Sequence, residues 1–214
     1  MLMDTLSYIL QKYSINLDNR RMPIEIPNVG RDDLAVLFHE LGFTIGAEIG
    51  TEQGLYAETL CKGNPNLHLY CVDPWKSYRG YLDHITQEKL DNFYEIAKAR
   101  LAPYNVELVR KFSMEAVKDF KRNSLDFVYI DANHEFRYIV EDLCEWPAKV
   151  RPGGIIAGHD FCQRKDKGYH VHVVEAVMGY TSAYKISPWF VLGTKAIVPN
   201  ETRDSTRSFF WVKE

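Results

Sequence analysis

The run Thr44-Ile45-Gly46-Ala47-Glu48-Ile49-Gly50-Thr51-Glu52-Gln53-Gly54 passes from an apolar strand-length segment into a glycine-rich turn. Glycines there let the backbone bend tightly and approach a ligand at the start of a helix. Downstream, short apolar runs alternate with amphipathic stretches, the pattern of βαβ units in a parallel sheet. Strands are expected at Thr44–Ile49, Leu67–Val72, Val106–Val109, Leu125–Ile130 and Gly154–Ala157. Helices are expected at about Gln53–Cys61, Thr86–Leu101, Met114–Phe120, Tyr138–Lys149 and His170–Tyr180. The runs Trp189–Leu192 and Phe209–Val212 have no clear helix between them, which suggests an antiparallel pair at the C-terminal sheet edge. The fold class that results is α/β, a doubly wound and mostly parallel sheet with helices on both faces.

Upstream, Leu2, Leu6, Ile9, Leu10 and Tyr13 recur at helical spacing, and Asn19–Gly30, with its two prolines, reads as a loop. A second helix is expected from Arg31 to Leu41, with Asp32 and Asp33 at its positive end and Gly42 stopping it. Residues 1–41 are thus expected to form an N-terminal helical cap on a main unit spanning 42–214, one compact domain overall. Its 214 residues, 46% hydrophobic and 26% charged, suit a globular protein. A net charge of −3 disfavours nucleic acid as a partner. No stretch reads as a signal peptide or membrane span, and four cysteines without a CxxC pair suit a reducing cytoplasm.

In an open α/β sheet, ligands sit outside the carboxyl ends of the strands. The first strand end supplies Glu48, Gly50, Thr51 and Gly54; a βα turn without a ligand is the plain alternative. The second ends in Asp73-Pro74-Trp75, about where an acidic residue meets ribose hydroxyls. The turn reads E-x-G-x-x-x-G instead of the G-x-G-x-x-G of nicotinamide and flavin sites. It resembles motif I of the class I methyltransferases, Rossmann-like proteins that bind the methionine moiety of S-adenosylmethionine along this loop. The resemblance covers roughly Gly42 to Gly179. It implies cofactor contacts from Glu48, Gly50, Thr51, Gly54, Asp73, Pro74, Trp75, Ser113, Met114 and Asp131. Ser113 and Met114 would lie around the adenine, although Ser113 also suits a helix N-cap.

Two further strand ends carry chemistry. Leu125-Asp126-Phe127-Val128-Tyr129-Ile130-Asp131-Ala132-Asn133-His134 ends in a carboxylate with a histidine three residues on, and Gly153-Gly154-Ile155-Ile156-Ala157-Gly158-His159-Asp160 ends in another such pair. Adjacent strands lie about 4.8 Å apart, so these groups can share a cleft. The segments are similar to small-molecule O-methyltransferases of the catechol and macrolide-sugar type. That similarity implies a divalent metal held by Asp131, His159 and Asp160, and catalytic roles for Asp131, His134 and His159, with His134 as general base where catechol enzymes carry a lysine. His159-Asp160 departs from the Asp-Asn usual there. This shifts preference from magnesium toward manganese, iron or zinc, or toward no metal. The bland alternatives are a cofactor-only Asp131, a helix-capping His134 and a strand-end His159.

The function expected is S-adenosylmethionine-dependent O-methylation of a small-molecule hydroxyl. The loop Phe161–Gly168, with Arg164, Lys165 and Lys167, suits an anionic acceptor or is a solvated surface loop. The segment Tyr78–His84 and the N-terminal helices suit a lid or a homodimer contact. A metal-dependent hydroxylase, a nicotinamide-dependent oxidoreductase and a non-catalytic nucleoside-binding protein remain alternatives. A DNA amino-methyltransferase is disfavoured, because Asp-Ala-Asn-His replaces its Asp/Asn-Pro-Pro-aromatic signature.

Overall fold

A computed structural model describes residues 3–78, 86–166, 169–196 and 198–214. The chain begins with helix α1 (Thr5–Lys12), strand β1 (Ile24–Ile26) and helix α2 (Arg31–Glu40). It continues as β2 (Ile45–Ile49), α3 (Leu55–Gly63), β3 (His68–Val72), α4 (Gln87–Leu101), β4 (Val106–Val109) and the short α5 (Ser113–Ala116). Then come β5 (Leu125–Ile130), α6 (Phe136–Glu145), β6 (Val150–Gly158), the hairpin β7 (Arg164–Asp166) and β8 (Tyr169–Val171), α7 (Val173–Ala183), β9 (Phe190–Leu192) and β10 (Phe209–Val212).

Eight strands form one sheet in the order β1-β9-β10-β6-β5-β2-β3-β4, and β10 alone runs antiparallel to its neighbours. Side chains of one strand alternate between the two faces. On β5, Phe127 and Tyr129 pack with Leu34, Phe38, Ala57 and Leu60 of α2 and α3, whereas Val128 and Ile130 pack with Ile139, Leu143 and Val177 of α6 and α7. This alternation covers both faces with helices, as the βα pattern of the sequence requires.

Departures from the expected elements have local causes. Ile24-Glu25-Ile26, inside the presumed loop, alternates buried and exposed and pairs parallel to β9, so a strand lies outside the antiparallel pair. β6 starts earlier than expected because the pairing register shifts between Leu125 and Phe127, which lets the Arg151-Pro152-Gly153-Gly154 turn ride along as a bulge. α6 ends before Pro147, passing into a short 3-10 turn. His170 and Val171, expected to open the helix that is α7, pair with β7 instead.

The sheet positions the site by register. β2 lies between β3 and β5, where the order of strands reverses, and Ile49 stands beside both Val72 and Ile130, with Ile130 beside Gly158. The residues that follow, Gly50, Asp73, Asp131 and His159, therefore emerge abreast along one edge.

Candidate active site

A cleft of about 530 Å³ opens along that edge, within the range of small-molecule sites. Its floor is the β2 turn. Gly50 has φ +96°, and a Cβ there would meet the Asp131 carbonyl oxygen at 2.1 Å, so no side chain fits where the two strand ends touch. Glu48 and Thr51 line the cleft, and Glu48 Oε2 and Thr51 Oγ1 are buried without a hydrogen-bond partner. Each unmet polar atom costs about 1–3 kcal/mol, which a ligand bearing donors could recover. Burial pushes the Glu48 pKa up to about 8, only partly offset by the neighbouring Thr51 hydroxyl.

Asp73 joins the two turns. Its carboxylate accepts from the backbone N–H of Glu52 at 2.9 Å and of Trp75 at 2.7 Å, leaving lone pairs toward the cleft. Burial raises its pKa, with those N–H bonds opposing. Pro74 lines the cleft, whereas Trp75 turns inward, fully buried with Leu90, Phe93 and Ala97, and its indole N–H donates to the Glu52 carbonyl at 2.7 Å. Gly54, at φ +73°, opens α3 against Leu101 and does not line the cleft.

The far wall comes from α5 and α6. Phe112, Ser113, Met114, Tyr138 and Asp142 line it. The Ser113 hydroxyl donates to Asp142 Oδ1 and accepts from the Trp146 indole N–H at 2.8 Å.

The polar cluster stands at the other end. His134 Nε2 lies 2.8 Å from Asp160 Oδ2 and 3.4 Å from Asp131 Oδ1. Burial disfavours charge on His134, but the bonds to Asp131 and Asp160 outweigh it and push its pKa up to about 12. Burial likewise works to raise Asp160, yet its bonds from His134 and His159 hold it well below the usual carboxylate range. His159 Nδ1 is 3.6 Å from Asp131 Oδ2, while its Nε2 faces the Thr206 hydroxyl at 3.3 Å. The Arg31 guanidinium, 3.8 Å from Asp131 Oδ2 and over the Tyr56 ring, completes the charge balance.

A methyltransferase-domain family matches residues 47–161, more than half of the chain, from within β2 to just past the end of β6. The chain belongs to this methyltransferase family. Solved structures agree on the fold. The O-methyltransferase TomG from Streptomyces achromogenes, in complex with SAM, is 19% identical, with a TM-score of 0.58 over 86% of this chain and 79% of that one. An O-methyltransferase from Bacillus cereus, in complex with SAH, is 15% identical, with a TM-score of 0.57 over 98% and 90%. A putative O-methyltransferase from Klebsiella pneumoniae is 16% identical, with a TM-score of 0.58 over 100% and 92%. No curated protein matches the sequence.

In this methyltransferase, then, one cleft collects Glu48, Gly50, Thr51, Asp73, Pro74, Ser113, Met114, Asp131 and His134 from the expected set. Among the described residues, ligand atoms of Asp131, His134 and Asp160 converge within 4.8 Å of one another, which adds His134 to the expected ligand set, and His159 Nδ1 lies 3.8 Å from Asp160 Oδ2. Held as an imidazolium, His134 donates a proton and cannot accept one, so a base role for it requires that this proton first be displaced. Sequence reasoning missed Arg31, placed in the cap, and Asp142, hidden in an amphipathic helix. An aspartate among buried positions of that helix was the available signal. Most of the Tyr78–His84 segment lies outside the described residues, as do Lys167 and Gly168 of the basic loop. No helix among the described residues is long and apolar enough to cross a membrane.

Proposed function

We propose that this S-adenosylmethionine-dependent methyltransferase transfers its methyl group to a hydroxyl oxygen of a small molecule seated over Asp131, His134 and Asp160. The observation that carries the proposal is that one cleft holds unpartnered buried polar atoms at Glu48 and Thr51, a strand-end carboxylate at Asp73, and Asp131 and His134, the latter in contact with Asp160. The first fits an amino-acid end, the second ribose hydroxyls, and the third the acceptor. S-adenosylmethionine supplies a sulfonium methyl open to in-line attack.

The donor set of two carboxylates and an imidazole fits a divalent ion that accepts mixed oxygen and nitrogen ligands, such as manganese, iron or zinc. A metal held by Asp131, His134 and Asp160 would lower the pKa of a coordinated hydroxyl. The chain's own residues orient the partners. Gly50 lets the donor lie against the backbone, Asp73 fixes the ribose, and the Asp131–Asp160 pair holds the acceptor end, so that alignment lowers much of the barrier. Arg31 and Lys76, both on the cleft wall, suit an acceptor bearing a carboxylate or phosphate.

Incubation with methyl-labelled S-adenosylmethionine and a panel of catechols, sugars and hydroxy acids, with and without manganese, tests the proposal. O-methyl ethers formed in step with S-adenosylhomocysteine are expected. Label appearing solely on nitrogen or carbon would overturn it.

A further inference from the structure

Helix α2 opens on a cation. Arg31 is its first residue, at the helix end that favours the carboxylates of Asp32 and Asp33 and disfavours a guanidinium. The chain nevertheless fixes Arg31 from both sides. Its backbone N–H donates to Asp204 Oδ2 at 2.6 Å, and its carbonyl accepts from the Tyr56 hydroxyl at 2.8 Å. The guanidinium lies over the Tyr56 ring, 5.0 Å from the centroid, and that ring packs in turn on buried Tyr129 at 4.4 Å. Stacking of this kind orients the plane of the group. Arg31 lines the cleft with its Nη1 3.8 Å from Asp131 Oδ2, too far for a hydrogen bond. Among the described residues no acceptor takes a hydrogen bond from the guanidinium. A part-exposed ion pair of that length stabilises the fold little. Arg31 thus presents oriented, unspent donors beside the polar cluster.

We infer that Arg31 binds a carboxylate carried next to the reacting hydroxyl, so that the acceptor is a 2- or 3-hydroxy acid. The inference rests on the O-methylation reading above and narrows its acceptor. A hydroxyl donating to Asp131 Oδ2 and a carboxylate accepting from Arg31 Nη1 sit side by side, because the two protein atoms are 3.8 Å apart. Parallel hydrogen bonds of ~2.8 Å hold the two substrate groups at about that same spacing. A 2- or 3-hydroxy acid spans it, as does a benzoate with an ortho hydroxyl. A para hydroxyl lies across the ring from its carboxylate and does not. Guanidinium and carboxylate match as planar forks, whereas a phosphate ester would crowd further negative charge against Asp131 and Asp160. In transfer, the hydroxyl oxygen forms the new C–O bond as the S–CH3 bond breaks, and the sulfur keeps the electron pair. The hydroxyl proton leaves for water by way of Asp131, and the carboxylate stays on Arg31 unmethylated.

The test gives the full chain 2-hydroxybenzoate, 4-hydroxybenzoate and catechol, with and without manganese. Binding of each to the S-adenosylhomocysteine-loaded protein is read by calorimetry, and transfer is read with methyl-labelled S-adenosylmethionine. In both conditions 2-hydroxybenzoate is expected to bind about ten- to a hundredfold more tightly than the other two, the worth of a charge-assisted hydrogen bond, and to yield a base-stable methyl ether. Arg31→Gln is expected to bring the three acceptors within about threefold of one another, with its S-adenosylhomocysteine binding showing that the cleft is intact. Arg31→Lys keeps the charge without the fork and should retain a reduced preference, which provides a second variant if the glutamine form does not fold. A wild type that binds all three alike, or prefers 4-hydroxybenzoate or catechol, would overturn the inference. So would an Arg31→Gln variant that keeps the wild-type preference, or label recovered as a base-labile methyl ester. Transfer to catechol alone would overturn it while leaving the O-methylation reading intact. Failure of every hydroxyl acceptor to take up label would instead remove that reading, and this inference with it.

Discussion

Glu48 gives the cleft a proton-linked signature. Fully buried at the end of β2, with a pKa pushed up by burial to about 8, it is mostly neutral near pH 7 in the free protein. An ammonium group brought against it favours the carboxylate, so binding expels the proton. If the bound pKa falls back to its ordinary 4.5 or below, affinity for S-adenosylhomocysteine rises about ninefold from pH 6 to 7 and about fivefold from pH 7 to 8, no more than ~1.4 kcal/mol per unit. Calorimetry at pH 6.5 in two buffers of different ionisation heat should count close to one proton released. Glu48→Gln keeps the shape and removes the titration. Its affinity should be flat with pH and about tenfold or more below wild type at pH 8. Without ligand, the raised pKa favours the folded state most below 4.5, and that contribution is lost as pH rises through about 8. Glu48→Gln should flatten this part of the stability profile. A wild-type affinity that ignores pH, or a Glu48→Gln variant that keeps the wild-type slope, would refute the reasoning.

Gly50→Ala should drive the β2 and β5 ends apart, since the new Cβ would meet the Asp131 carbonyl oxygen at 2.1 Å; a destabilisation above ~2 kcal/mol by denaturant unfolding, with loss of ligand binding, is expected. Asp73→Ala removes the acceptor for the Glu52 and Trp75 N–H groups as well as the proposed ribose contact, so its S-adenosylhomocysteine affinity, read by calorimetry, should fall about a hundredfold or more. His134→Ala should cost stability in a pH-dependent way, measured as a melting difference. The raised His134 pKa contributes most below its ordinary 6.5 and is lost as pH rises through the folded value, while the depressed Asp160 pKa contributes above its ordinary 3.8 and is lost in acid. The melting difference from wild type should therefore be largest between those two values and shrink on either side.

The parallel core of the fold was legible because each strand is a short apolar run punctuated by glycine, proline or aspartate, and β2, β4 and β5 lie within a residue of where the pattern puts them. The β1 strand was hidden by Pro23 and Pro27, which flag a loop, whereas tertiary pairing with β9 decides the matter. At the site, strand-end residues were legible because register carries them to one edge. Side chains that reach the cleft from helices were not. Arg31 arrives from α2, with its backbone N–H donating to Asp204 at 2.6 Å and its carbonyl accepting from the Tyr56 hydroxyl at 2.8 Å, contacts that no spacing rule connects. His134 joins the converging cluster for a similar reason. Both histidines follow a strand, and His159 turns its Nε2 to Thr206 from the chain between β9 and β10 while its Nδ1 stays 3.6 Å from Asp131 and 3.8 Å from Asp160. Trp75 shows the converse, since its place beside Asp73 suggested the cofactor while its indole is anchored in the core behind the turn.

A crystal structure with S-adenosylhomocysteine bound tests the central claim most directly. Its amino-acid end should lie at Gly50 and Thr51 with the ammonium on Glu48, its ribose hydroxyls on Asp73, its base between Met114 and Asp142, and its sulfur facing Asp131 and His134. A ligand found away from the carboxyl ends of β2 and β3, or with its sulfur turned from that cluster, would contradict it.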